Sequence, residues 1–383
     1  MSVGVYIQVP FCQTKCTYCN FHTGVVSRDR YEPYAEAVCR EIIESTESAA
    51  PAVDTVYVGG GTPSLLDPAA LARILDTLRR TYPGEPSEIT LEADPETITP
   101  QKAAAWYSFG FDRISLGAQS FEDRELRAAG RMHRREDICR AVDLLRAAGF
   151  RNISMDLIAG LPHQTRESWE ASVSQLLRVF PEHVSIYMLE IDEGSRLGRE
   201  LLEGGTRYSA EAIPSDDAMA EFYESACARL AAAGYEHYEI SNWGLPGRAS
   251  RHNLKYWRRE PYFGFGAGAH SFDGVTRWAN VHDQARYVAL IERGTSVREQ
   301  METIQPLQAF HEEFFLGLRQ LEGIDFEQIA RDYQPHLGNL ILTVRDRIDN
   351  LRSCGFIQLE GERLRIAPDH ITVSNEVLVQ LLG

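Results

Sequence analysis

No stretch of this chain approaches the roughly 20 consecutive apolar residues that a membrane-spanning helix needs. The opening MSVGVYIQVPFC has neither the basic start nor the long apolar middle of a secretory signal, so a soluble, cytoplasmic protein is expected. Positive charge is scarce: 39 Lys and Arg stand against 55 Asp and Glu, a formal charge of -16. Such an excess repels nucleic acid unless a local basic patch overrides it. No nucleic-acid partner is expected, and an anionic ligand needs such a patch. Cysteine is sparse and unevenly spread. Of seven, Cys39, Cys139, Cys227 and Cys354 lie far apart in apolar or helical stretches, while Cys12, Cys16 and Cys19 crowd together. An odd number so distributed argues against a disulfide framework and leaves the scattered four as small hydrophobes. Low-complexity tracts are missing too. With 44% hydrophobic and 10% aromatic residues over 383 positions, the chain can bury one large core and a smaller one.

What is present is an alternation. Short apolar runs at Val3 to Val9, Thr55 to Val58, Ile89 to Ala93, Arg113 to Gly117, Ile153 to Ile158 and Val184 to Leu189 predict six strands. Between them, helical periodicity predicts helices over Tyr31 to Ser48, Pro68 to Tyr82, Arg134 to Ala148 and Glu167 to Val179. Repeated βα units with near-continuous apolar strands imply a parallel sheet covered by helices. The unusual residues then favour a barrel over a doubly wound sheet. The cysteine loop follows the first strand, Gly59-Gly60-Gly61-Thr62 the second, Glu92 ends the third, Gln119 follows the fourth and Asp156 sits late in the fifth. In β/α barrels chemistry collects at those C-terminal strand ends. The predicted fold is α/β: a partial (β/α)6 barrel over residues 1–235, a connecting segment over 236–300, and a smaller α+β, winged-helix-like domain over 301–383. That last domain carries a hairpin in GFIQLEGERLRIAP. Its 13 acidic and 7 basic residues, a net of -6, favour packing over DNA binding.

Cys12-x3-Cys16-x2-Cys19 projects three thiolates from one loop directly after a strand. Each can take one iron of a [4Fe-4S] cubane, leaving a fourth iron open to the amino and carboxylate groups of S-adenosylmethionine (SAM). Electron transfer from such a cluster can cleave the sulfonium and release a 5'-deoxyadenosyl radical. The competing reading is a zinc site with His22 as fourth ligand, although zinc sites usually show two CxxC-type pairs.

The segments YIQVPFCQTKCTYCNF, VYVGGGTPSLL, ITLEADP, ISLGAQSF, MDLIAGLP and YEISNW follow one another along the chain. In that order, and over almost its whole length, they resemble the radical SAM family of oxygen-independent coproporphyrinogen oxidases (HemN), in its HemW branch. The resemblance implies that Tyr6 and Tyr18 lie near SAM and the cluster, that Gly60, Gly61 and Thr62 hold the methionine part, and that Glu92, Gln119, Arg131 and Asp156 meet SAM's polar groups. Glycines allow close backbone approach, carboxylates suit an ammonium or ribose hydroxyls, and a guanidinium suits a carboxylate. Taken singly each has a plainer reading: a tight turn, a solvated loop carboxylate, a surface ion pair in the run RMHRR.

The resemblance implies two functions. One is radical decarboxylation of coproporphyrinogen III propionates. The other is a haem chaperone that passes haem to recipient haem proteins, membrane-associated respiratory enzymes among them, with a flavodoxin or ferredoxin as electron donor to the cluster. Phe21 stands where the oxidase branch has a further cysteine, and only 11 residues precede Cys12 where that branch has a long arm; both favour the chaperone. A HemN-like radical methyltransferase is a minor third reading. Gln8 and Asn20 depart from the family's usual His and Asp, which leaves open whether SAM is cleaved. For haem, the segment from Arg251 to Trp257 matches the branch's HNxxYW motif through His252, Asn253, Tyr256 and Trp257. His252 is the candidate iron ligand, Tyr256 and Trp257 offer flat faces, and five Lys or Arg from Arg248 to Arg259 suit propionates. The alternative is a hydrogen-bonded core histidine, with His270 in GFGAGAH as a spare ligand.

Overall fold

The computed structural model describes residues 2–46 and 50–383. Six strands, β1 (Ser2–Val9), β2 (Ala52–Gly60), β3 (Glu88–Ala93), β4 (Arg113–Gln119), β5 (Ile153–Ala159) and β6 (His183–Met188), run parallel in chain order with helical crossovers. All six were predicted. Helices Pro68–Thr81, Arg135–Ala148 and Arg166–Val179 also fall where periodicity put them. The first helix is Tyr31–Glu44, and its predicted end at Ser48 lies outside the described residues. Local chemistry sets these ends. The Asp67 side chain accepts from the Ala69 N–H at 2.8 Å ahead of Pro68, and Gly149 takes φ 113° after Ala148.

Within each strand, alternate residues point to opposite faces. Val5, Ile7, Val58, Leu91, Leu116 and Ile186 bury one face in the main core. The other face is polar, carrying Gln8, Tyr57, Glu92, Arg113, Asp156 and Ser185. Gly60 on β2 and Tyr187 on β6 line one cavity, although four strand spacings, about 19 Å in a flat sheet, would separate them. The sheet is therefore curled into an open barrel with its polar face inward.

Residues 236–300, expected as a connecting segment, add strands to both edges of the sheet. β7 (Glu236–Glu239) and β8 (Asn242–Gly244) extend the sheet antiparallel beyond β6. At the other edge β9 (Tyr262–Phe265) pairs parallel with β1, followed by antiparallel β10 (His270–Phe272), β11 (Thr276–Asn280) and β12 (Arg298–Thr303). The result is one 12-stranded sheet, β12-β11-β10-β9-β1-β2-β3-β4-β5-β6-β8-β7. β7 to β11 are three to five residues long, too short for period-two alternation to register in sequence.

The C-terminal part folds about its own core of Phe310, Phe314, Val344 and Leu381. It joins helices Pro306–Gly317, Phe326–Ser353 and Ser374–Leu382 to a small sheet of β13 (Ile324–Asp325), β14 (Ile357–Glu360) and β15 (Arg363–Ile366). The predicted hairpin is the β14–β15 pair, turning through Gly361 at φ 61°. No described helix is long and apolar enough to cross a membrane.

Candidate cofactor site at the barrel mouth

The cysteine loop is pinned by backbone bonds from several directions. Thr62 N–H donates to the Phe11 carbonyl at 2.6 Å, Cys12 N–H to Gly24 at 3.0 Å, Thr17 N–H to Ala129 at 3.0 Å and Leu197 N–H to Thr17 at 2.8 Å. Loop geometry thus depends on the barrel around it and not on the thiols. Burial pushes the Cys12 thiol up to about 11 and raises Cys19 as well. Both need a cation to become thiolates, which couples metal uptake to proton release.

The loop forms one wall of a cavity of about 400 Å³ at the C-terminal ends of the strands, lined by Cys12, Cys16, Cys19, Tyr18, Gly60, Gly61, Thr62, Glu92, Gln119, Arg131 and Asp156. Every residue named in sequence for the cluster or SAM lies here except Tyr6. Tyr6 sits lower in the barrel, stacked on Tyr57 at 6.0 Å, its hydroxyl donating to Gln8 Oε1 at 2.9 Å. The volume falls within the range of small-molecule pockets, roughly 300–1,000 Å³.

The glycines form a true cradle. A Cβ on Gly61 would meet the Phe11 carbonyl oxygen at 2.5 Å and Cys12 Sγ at 3.0 Å, and one on Gly60, at φ 117°, would meet the Gln8 amide at 2.6 Å. Glu92 Oε2 accepts from Gly60 N–H and Oε1 from the Tyr57 hydroxyl, each at 2.9 Å, while burial raises its carboxyl to about 7. Asp156, raised by burial to about 6, has one carboxylate oxygen buried without a partner. That orphaned acceptor suits a ligand bearing hydroxyls or an ammonium. Gln119 holds φ 65°, an uncommon conformation for a residue other than glycine, where the β4–β5 register shifts.

Arg131 does not form a surface pair. Buried, it binds Asp94, donates to the Gly117 carbonyl at 2.8 Å and reaches Cys16 Sγ at 3.6 Å. Asp94 also accepts from the Thr62 hydroxyl at 3.0 Å, so Thr62 and Arg131 position the loop as well as facing the cavity. Sequence reasoning did not single out Asp94, Gly117 or Tyr187, although Asp94 lies within the quoted ITLEADP. His22, the alternative zinc ligand, packs its ring on His282 at 4.1 Å.

The HNxxYW segment is elsewhere. It forms the helix Arg251–Trp257 near the N-terminal ends of the strands, opposite the cysteine loop. His252 Nδ1 lies 2.9 Å from the Thr55 hydroxyl and Nε2 2.9 Å from that of Tyr256. The ring is 1% exposed, and desolvation lowers its pKa to about 3. In this arrangement both nitrogens of His252, the candidate haem ligand, are hydrogen-bonded and the ring is enclosed. Tyr256 packs edge-on against His252 and Tyr262, Asn253 donates its backbone N–H to Ser250 Oγ at 3.3 Å, and the Trp257 carbonyl accepts from Gln320 at 3.3 Å. Part of the basic run is neutralised. Lys255 lies buried between Asp54 at 2.8 Å and Glu260 at 3.0 Å, and Arg259 pairs with Glu312 at 2.7 Å. Asp54 and Glu312 are remote in sequence, so the run alone could not show them.

The profile of the Radical SAM superfamily matches residues 6–176, and that of the HemN C-terminal domain residues 304–369. The chain is 34% identical to the Heme chaperone HemW of Bacillus subtilis, over 99% of each chain. It is 35% identical to that of Mycobacterium tuberculosis, over 99% of this chain and 95% of the other. The solved structure of coproporphyrinogen III oxidase (HemN) from Escherichia coli superposes with a TM-score of 0.85 at 19% identity, over 99% of this chain and 89% of that one, a likeness of fold. A radical SAM domain implies a [4Fe-4S] cluster and SAM, and the cavity's thiols, glycine cradle and orphaned carboxylate fit both. With full-length identity above 30%, the chain belongs to the radical SAM superfamily, in the family of the HemW proteins.

Proposed function

We propose that this protein is a haem chaperone built on a radical SAM scaffold, binding haem and passing it to recipient haem proteins. The observation that carries the reading is the end-to-end similarity to proteins named for that role. In this reading Cys12, Cys16 and Cys19 hold the cluster, while Tyr18, Gly60, Gly61, Thr62, Glu92, Gln119, Arg131 and Asp156 surround SAM. When bound, the cluster supplies a low-potential electron and an open iron to which SAM's amino and carboxylate groups can bind. The recipients are proposed to include membrane-associated respiratory enzymes, and the electron donor to be a flavodoxin or ferredoxin. Three thiols reserved for a cluster need a reducing compartment, which supports the cytoplasm.

The test is direct. Anaerobically reconstituted protein should bind about one haem per chain, deliver it to an apo-haem protein, and leave coproporphyrinogen III unchanged. Conversion of coproporphyrinogen III to protoporphyrinogen IX with no haem retained would establish the oxidase instead.

Glu92 gives the SAM assignment its own test. Burial raises its carboxyl to about 7, and the carboxylate is a stronger acceptor than the neutral acid for an amine N–H or a ribose hydroxyl. SAM affinity should therefore fall as pH drops from 8 to 6; SAM's own amino group also titrates in this range, so Glu92's share is the difference between the wild type and Glu92→Gln. Glu92→Gln should bind SAM weakly and flatten that dependence in equilibrium dialysis. A variant with the wild-type pH profile would remove Glu92 from the site.

A further inference from the structure

We infer that Asp94 and Arg131 set the reduction potential of the cluster held by Cys12, Cys16 and Cys19. The guanidinium presents a fixed positive charge and an N–H donor to the Cys16 sulfur, and the carboxylate offsets part of that charge. The inference rests on the cluster assignment above and is independent of haem.

The backbone builds the contact. Thr17, next to Cys16, donates its N–H to the Ala129 carbonyl at 3.0 Å and its hydroxyl to that of Ala128 at 3.2 Å, while Arg131 N–H closes the same turn on Leu126 at 2.9 Å. The segment that carries Arg131 is thereby fastened to the loop that carries Cys16. Nη1 of the guanidinium points to Cys16 Sγ at 3.6 Å, and Nη2 binds Asp94 Oδ1 and, at 2.8 Å, the Gly117 carbonyl. Gly117 makes room for the pair: a Cβ there would lie 3.2 Å from Arg131 Nη2 and 3.4 Å from Asp94 Oδ1. Asp94 is fixed in turn, its other oxygen accepting from the Thr62 hydroxyl at 3.0 Å and its N–H donating to Ser64 Oγ at 3.3 Å. The side chains of Arg131 and Asp94 are 8% and 21% exposed, so mobile ions screen them little.

Charge gives the arrangement its effect. Among the described residues lining the cavity, Arg131 is the one Lys or Arg, set against Glu92, Asp94, Glu96, Asp156 and Glu190. A guanidinium stays charged in proteins. Reduction adds one electron, supplied by an external one-electron donor, to a centre that three thiolates already make negative, and no bond to the protein forms or breaks. A positive charge and an N–H donor at a ligating sulfur favour the more negative state and so raise the potential, because net charge and hydrogen bonds to sulfur tune iron–sulfur centres. A neighbouring carboxylate acts in the opposite sense. At an effective dielectric of about 20, one unit charge within about 6 Å moves a one-electron equilibrium tenfold or more. Arg131 therefore makes the centre easier to reduce and, once reduced, a weaker reductant toward the SAM sulfonium, and Asp94 limits both effects.

The experiment is an EPR-monitored redox titration of the full-length, anaerobically reconstituted protein without SAM, so that a lost SAM contact cannot contribute. Arg131→Gln should lower the midpoint by at least the shift of a tenfold change in a one-electron equilibrium, about 59 mV. Arg131→Lys, which keeps the charge, should shift it less, and Asp94→Asn should raise it. Opposite shifts at equal iron and sulfide content are not the result of a merely structural role. Arg345→Gln, at an exposed pair with Glu327 in the C-terminal part, should leave the midpoint unchanged. If Arg131→Gln fails to hold the cluster, Asp94→Asn carries the test: a raised midpoint supports the inference, and an unchanged or lowered one overturns it. Wild-type midpoints in both variants, or shifts of the same sign, would overturn the inference while leaving the cluster assignment intact. Wild-type protein without iron and sulfide would overturn both.

Discussion

Replacing Cys16 with alanine should leave a protein almost free of iron and sulfide after anaerobic reconstitution, where the wild type carries about four of each. A cubane with three protein ligands loses a corner when one thiol goes, and no neighbouring side chain offers a substitute: Cys16 Sγ faces the guanidinium of Arg131 at 3.6 Å. The fold should survive. The loop is held by its backbone bonds to Gly24, Ala129 and Leu197, and Arg131 keeps Asp94 as its partner. Iron and sulfide analysis beside circular dichroism separates loss of the cluster from loss of structure. Four irons retained by the variant, or stoichiometric zinc without sulfide in the wild type, would contradict the cluster assignment.

The second large effect should be on stability, at the other end of the barrel. Glu88 is buried at the start of β3 and accepts from the backbone N–H groups of Arg251 and His252, both at 3.1 Å, and from the Ser250 hydroxyl at 3.3 Å. It places a negative charge at the N-terminus of the helix Arg251–Trp257. It also helps keep Arg113 charged: burial opposes that charge, and Glu88 is the largest influence favouring it. Glu88→Ala leaves a buried guanidinium without its main counter-charge and three donors without an acceptor, a loss of about 3–5 kcal/mol for such a network. Glu88→Gln keeps an acceptor and should lose less. Urea unfolding followed by tryptophan fluorescence measures both. An alanine variant within 1 kcal/mol of wild type, on the scale of a surface substitution, would show that the helix is not anchored through this carboxylate.

Sequence conveyed what is local. The cysteine spacing, the glycines after β2 and the six βα units are written in neighbouring residues, so strand order and most of the cavity lining could be named in advance. Pairings across long separations could not. Asp94 bridges Thr62 and Arg131 only after three strands have aligned, and the acidic partners of Lys255 and Arg259 come from positions 54 and 312. His252 shows the same limit: residue type made it a ligand candidate, whereas Thr55, some 200 positions earlier, engages one of its nitrogens.

The pairing of β1 with β9 also bears on how the chain is made. Gly4 lies opposite Tyr262 and Ile7 opposite Phe265, so the first strand to leave the ribosome waits for one of its two neighbours until most of the chain has been synthesised. At about 5–20 residues per second, the outer edge of β1 stays open for roughly 10 to 50 s. An unpaired, apolar parallel strand is a template for other nascent chains during that interval. Folding yield in the cell should therefore depend on translation speed through residues 10–265 and on chaperones that shield this edge, more than on the stability of the finished barrel.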